Sequence, residues 1–169
     1  DTLFTTRSVG RSGPVWNLPR TDHALDFTYQ WQGQSHAATD VLERTYTNAL
    51  LVMKDGRIVS EIYRNNTTPS TRFIGWSMTK SVTSVLIGCE LAEKLFQYKT
   101  LDTAVLGWLV ERTSGMSVAA YTEKCLWEPL GAEADGFYIM DGAPGVGREF
   151  SGAGFNATLR DFARFGQMV

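Results

Sequence analysis

Phe73-Ile74-Gly75-Trp76-Ser77-Met78-Thr79-Lys80-Ser81-Val82 is the stretch on which the reading of this chain turns. A serine and a lysine stand three apart where an apolar helical pattern begins. On a helix, positions i and i+3 share a face with Cβ atoms about 5–6 Å apart. Lys80 can therefore reach the Ser77 hydroxyl without help from distant chain. Serine is a weak nucleophile until a base stands beside it. A lysine serves as that base when burial or nearby cations favour its neutral form. At a helix start the serine N–H also points outward, where it can help hold a developing oxyanion.

Other serine chemistries fit the same residues less well. Gly75-Trp76-Ser77-Met78-Thr79 lacks the second glycine of a G-x-S-x-G nucleophile elbow. The two histidines, His23 and His36, lie in the N-terminal stretch, and surface positions are expected for both. A Ser-His-Asp triad would have to draw one of them from there. The sequence contains no P-loop, dinucleotide fingerprint or metal-ligand spacing.

The chain has 169 residues, 43% of them hydrophobic and 20% charged, with a net charge of −2. That length suits one domain with a real core. No basic stripe suggests a nucleic-acid partner. The longest apolar runs fall short of the roughly 18 residues that span a membrane. Asp1 to Arg20 has no apolar h-region, so no signal peptide is expected. Cys89 and Cys125 form no CxxC pair, and each sits in an apolar helical pattern that suggests a buried free thiol. A soluble protein is expected, with the compartment open between cytoplasm and periplasm.

Upstream of the serine, residues 1–38 read as an irregular N-terminal arm interrupted by Gly10, Gly13, Pro14, Pro19 and Gly33. Thr39 to Tyr46 suits a short helix. Ala49 to Lys54 and Arg57 to Tyr63 flank Asp55-Gly56, a strong hairpin signal. Asn65 to Thr71 reads as a loop.

Downstream, a central buried helix is expected from Ser77 to about Leu95, with Val82, Val85, Leu86, Cys89 and Ala92 facing inward. Asp102 to Thr113 predicts a second helix with Val105, Leu106, Leu109 and Val110 inside. A third helix, Ser117 to Trp127, is stopped by Pro129 and Gly131. Phe137 to Met140 suits a short strand, and Asp141 to Gly154 a Gly-rich loop. Thr158-Leu159-Arg160-Asp161 resembles a capping box opening a last amphipathic helix. A hairpin followed by several helices makes the class α+β, with few strands for its sheet.

These residues resemble the serine β-lactamase-like superfamily of penicillin-binding proteins, class C β-lactamases and esterases. Within it they are most similar to the 6-aminohexanoate-dimer hydrolase (nylon-oligomer hydrolase) branch. Four stretches carry the resemblance: Leu42 to Ala49 with the hairpin after it, Ser77 to Lys80 with its helix, Phe96-Gln97-Tyr98 running into Asp102 to Arg112, and Gly152 to Met168. They cover roughly residues 40–169. The resemblance implies a partial β-lactamase/transpeptidase-like fold over 39–169. It makes Ser77 the acylated nucleophile, Lys80 its base, and Tyr98 the second-motif tyrosine that passes a proton to the leaving group. Thr100 stands where many relatives have the asparagine of Tyr-x-Asn. No cofactor is implied, and the partner is a small ester or linear amide substrate.

Two departures from the family are expected to matter. Tyr98 follows Lys80 by only 18 positions, where relatives insert a long, mostly helical excursion. A helix from Ser77 to Leu95 would put its ends roughly 27 Å apart at about 1.5 Å per residue. Three further residues at about 3.5 Å each cannot bring Tyr98 back. A missing segment at Gln97–Tyr98 is therefore expected. The third motif of the family, with its oxyanion-hole strand, would lie beyond Val169. The readings that follow are a serine hydrolase acting on esters or small linear amides, a non-catalytic remnant of that family, and a β-lactamase or D,D-peptidase.

Overall fold

Asp55-Gly56 turns the chain as its sequence requires. Both residues have positive φ, 52° and 73°, the type I′ geometry that matches strand twist. A computed structural model describes residues 4–88, 100–143 and 145–169. In chain order its first elements are β1 (Thr6–Val9), β2 (Thr28–Trp31), β3 (Gln34–Ala37), α1 (Asp40–Arg44), β4 (Ala49–Lys54), β5 (Arg57–Tyr63) and β6 (Arg72–Ile74). A 3-10 turn over Trp76–Met78 leads into α2 (Thr79–Gly88). Then come α3 (Thr100–Ser114), α4 (Val118–Thr122), a π-helical turn over Glu123–Trp127, α5 (Glu128–Leu130), β7 (Gly136–Ile139), β8 (Phe155–Thr158) and α6 (Leu159–Met168).

The α+β class stands. Its main sheet is assembled from short strands far apart in sequence, in the order β1-β7-β8-β6, every pair antiparallel. The β4–β5 and β2–β3 hairpins form separate two-stranded sheets. β5 is bordered by the Pro19–His23 segment, where Ile58 N donates to Pro19 O at 2.8 Å and Thr21 N to Ile58 O at 2.9 Å.

The irregular arm expected over 1–38 is corrected here, because it contains three strands. β1 finds its partner more than a hundred residues away. β2 and β3 close around Gln32-Gly33, both at positive φ, a turn that the search for Asn-Gly or Asp-Gly passes over.

The core lies where α2, α4 and the π-turn meet the sheet. Val82, Leu86, Val118, Leu126, Trp127, Tyr138 and Phe155 form it. Phe155 packs edge-on to Trp127 with centroids 5.1 Å apart and tilts against Tyr138 at 4.8 Å. Such aromatic pairs add about 0.5–1.5 kcal/mol beyond area burial. Tyr138 is fully enclosed, and burial pushes its phenol well above the usual range.

Two helices differ from expectation. The third continues past Pro129, because that proline enters within the first turn of α5, after the π-turn. It ends at Gly131, whose φ of 66° completes the C-cap. On α3, Val110 is buried as expected, whereas Val105, Leu106 and Leu109 are exposed and Thr103 faces in. No helix among the described residues is long and apolar enough to cross a membrane.

Candidate active site

Ser77 sits in the 3-10 turn that precedes α2, at the end of β6. Trp76, just before it, holds φ at 43°, left-handed backbone that non-glycine residues seldom adopt. Strain of this kind costs of order 1–3 kcal/mol and collects at functional turns. The turn presents Ser77 to solvent, while Thr79 and Lys80, at the start of α2, are buried. A side chain with an exposed hydroxyl thus meets one with a buried amine. Lys80 Nζ lies 3.3 Å from Ser77 Oγ and donates to Gly152 O at 2.8 Å.

The 150–155 strap, leading into β8, forms the far wall. Thr83 Oγ1 donates to Ser151 O at 2.8 Å, Phe155 N to Thr79 Oγ1 at 3.1 Å, and Gly75 N to Phe155 O at 2.7 Å. The Ser77 turn and the first two turns of α2 are therefore laced to one strap. An apolar cavity of about 490 Å³ opens beside Met78, with Ala49, Leu51, Phe73 and Phe162 in its walls. Among the described residues, no group of three His, Cys, Asp or Glu is assembled to hold a metal ion.

Of the residues expected to carry chemistry, Ser77 and Lys80 are brought together. Tyr98 lies outside the described residues, as do Cys89, Ala92 and the Gln97–Tyr98 junction. His23 is exposed, and His36 is half-buried, stacked on Tyr29 at 5.4 Å. Cys125 is a free, half-buried thiol. Sequence reasoning missed Thr83 and the strap. The signal available was a polar stripe, Thr79-Lys80-Thr83, on the inner side of a helix otherwise read as apolar.

In a search of solved structures, the chain matches one described as "Putative 6-aminohexanoate-dimer hydrolase from Bacillus anthracis", with a TM-score of 0.84 at 18% identity. That likeness covers 98% of this chain and 65% of the solved one, and at such identity it speaks for the fold. The chain matches no protein-family profile. In sequence it is 36% identical over 74 residues to the 6-aminohexanoate-dimer hydrolase of Paenarthrobacter ureafaciens. That stretch is 44% of this chain and 18% of the relative. The chain is related to 6-aminohexanoate-dimer hydrolase, and it spans only part of the proteins that it resembles.

Proposed function

We propose that this chain carries the nucleophile and base of a serine hydrolase that acts on carboxylic esters or small linear amides. The observation behind this reading is the 3.3 Å approach of a buried Lys80 amine to an exposed Ser77 hydroxyl at the mouth of α2. Lys80 Nζ accepts the Ser77 proton as Oγ attacks the substrate carbonyl carbon. Collapse of the tetrahedral intermediate expels the alcohol or amine, which takes up a proton. Water then attacks the ester on Ser77 and releases the acid. The Ser77 N–H is an oxyanion donor in this scheme; the family resemblance gives the role of proton carrier to the leaving group to Tyr98, which needs the segment expected at Gln97–Tyr98 to reach Ser77. The kinship with 6-aminohexanoate-dimer hydrolase favours a linear amide over a β-lactam ring.

The test is release of p-nitrophenol from p-nitrophenyl acetate, run beside nitrocefin. Ester cleavage by the wild-type chain that is lost in Ser77→Ala, with nitrocefin untouched, supports the reading. Equal cleavage by both chains overturns it, and rapid nitrocefin opening would move the assignment to a β-lactamase. Acylation without turnover is the outcome that favours the alternative of a non-catalytic remnant.

A further inference from the structure

Lys80 and Thr83 stand three apart on the inner face of α2, and both donate to the same strap. Lys80 Nζ reaches Gly152 O at 2.8 Å and Thr83 Oγ1 reaches Ser151 O at 2.8 Å. Successive carbonyls of an extended chain point to opposite sides. Here the strap turns, with Ala153 N and Gly154 N both donating to Phe150 O, at 3.1 and 2.7 Å. Two successive carbonyls can then face one helix. Ser151 is fixed from its other side as well, because its Oγ donates to Thr103 O at 3.2 Å. Gly107 leaves room for this, since a Cβ there would stand 2.3 Å from Ser151 Oγ. Ser151 is thus gripped between α2 and α3, and the next carbonyl along falls on Lys80.

A lysine stem is long and flexible, so partners at its tip define where the amine rests. We propose that Thr83 is a positioning residue of this site: its hydroxyl holds the Ser151–Gly152 strap, and the strap holds Lys80 Nζ beside Ser77 Oγ. The proposal rests on the reading of Ser77 as nucleophile and Lys80 as base. Thr83 is wholly buried, and its one hydroxyl hydrogen is shared between Ser151 O at 2.8 Å and the more distant Thr79 O at 3.1 Å within its own helix. Valine would fill the same space, which leaves the hydroxyl as the feature that needs a reason.

The experiment compares rates of Ser77 modification by a fluorophosphonate, read by intact mass and normalised to protein shown folded by circular dichroism. Thr83→Val keeps the shape and removes the donor, and Thr83→Ser keeps the donor and removes a methyl. The expected result is a fall of roughly 10- to 100-fold for valine, as for a misplaced catalytic group, and near wild-type labelling for serine. Thr83→Ala, a second variant without the donor, falls with valine. Wild-type labelling in Thr83→Val, or slow labelling in Thr83→Ser equal to that in Thr83→Ala, overturns the positioning role. A wild-type chain that forms no Ser77 adduct overturns the nucleophile reading itself and takes this proposal with it.

Discussion

At the scale of single residues, Lys80 combines burial with contacts to Ser77 Oγ and to Gly152 O, the latter 72 positions away in sequence. The near partner was legible because i,i+3 spacing on a helix is local geometry that any reader of Ser77 and Lys80 can apply. The far partner, Gly152 O, was not, because a backbone carbonyl carries no side-chain signature. The left-handed Trp76 was equally hidden, since tryptophan has no preference for that conformation. Replacing Lys80 by Met keeps an unbranched stem of similar bulk and removes the base. The p-nitrophenol burst from p-nitrophenyl acetate is then expected to slow by about 10²- to 10⁴-fold, the usual contribution of a positioned base. An unchanged burst would mean that Ser77 is activated by another group.

At the scale of elements, the parts with local rules were the readable ones. Asp55-Gly56 marked the β4–β5 hairpin, and Thr158 marked the start of α6. Thr158 Oγ1 accepts from Asp161 N at 3.1 Å and donates to Asp161 Oδ2 at 2.7 Å, so the cap is reciprocal and buried. Thr158→Ala is expected to destabilise the fold by about 1–2 kcal/mol, measured as a lower urea midpoint at unchanged slope. β1, β6 and β8 escaped reading because each has three or four residues and takes its partner from distant chain. β8 is buried on both faces and so shows no alternation. The inward face of α3 was misread for a related reason. Its packing centres on Gly107, where Ser151 comes close, and an apolar count assigns glycine no face.

At the scale of the whole molecule, one carboxylate ties together three segments distant in sequence. Glu61 on β5 accepts from Arg160 Nε at 2.6 Å on α6, from Tyr63 Oη at 2.7 Å, and from Arg20. Burial raises the Glu61 pKa, but the bonds from Arg160, Tyr63 and Arg20 outweigh it and hold the carboxyl at about 2. The unfolded chain therefore binds the proton first as pH falls. Stability from this cluster is whole above about 4.5 and is lost on the way down to about 2. Thermal melts across that window should show a steeper decline in the wild type than in Glu61→Gln, which has already lost the charge. Parallel declines would remove Glu61 from the account of acid stability.

The relation to 6-aminohexanoate-dimer hydrolase and the α+β class were both readable from sequence, since a short stretch such as Ser77 to Lys80 or Asp55-Gly56 is read without knowing the rest of the fold. The order of the main sheet was not, because it is written only in long-range pairings. The central claim is narrower than either: Ser77, served by Lys80, is the group that attacks. Its most direct measurement is intact-protein mass after exposure to a fluorophosphonate, with the modified peptide sequenced. The account predicts one adduct, located on Ser77, absent from Ser77→Ala and slow to form in Lys80→Met. No adduct on the folded chain, or one that persists in Ser77→Ala, would contradict it.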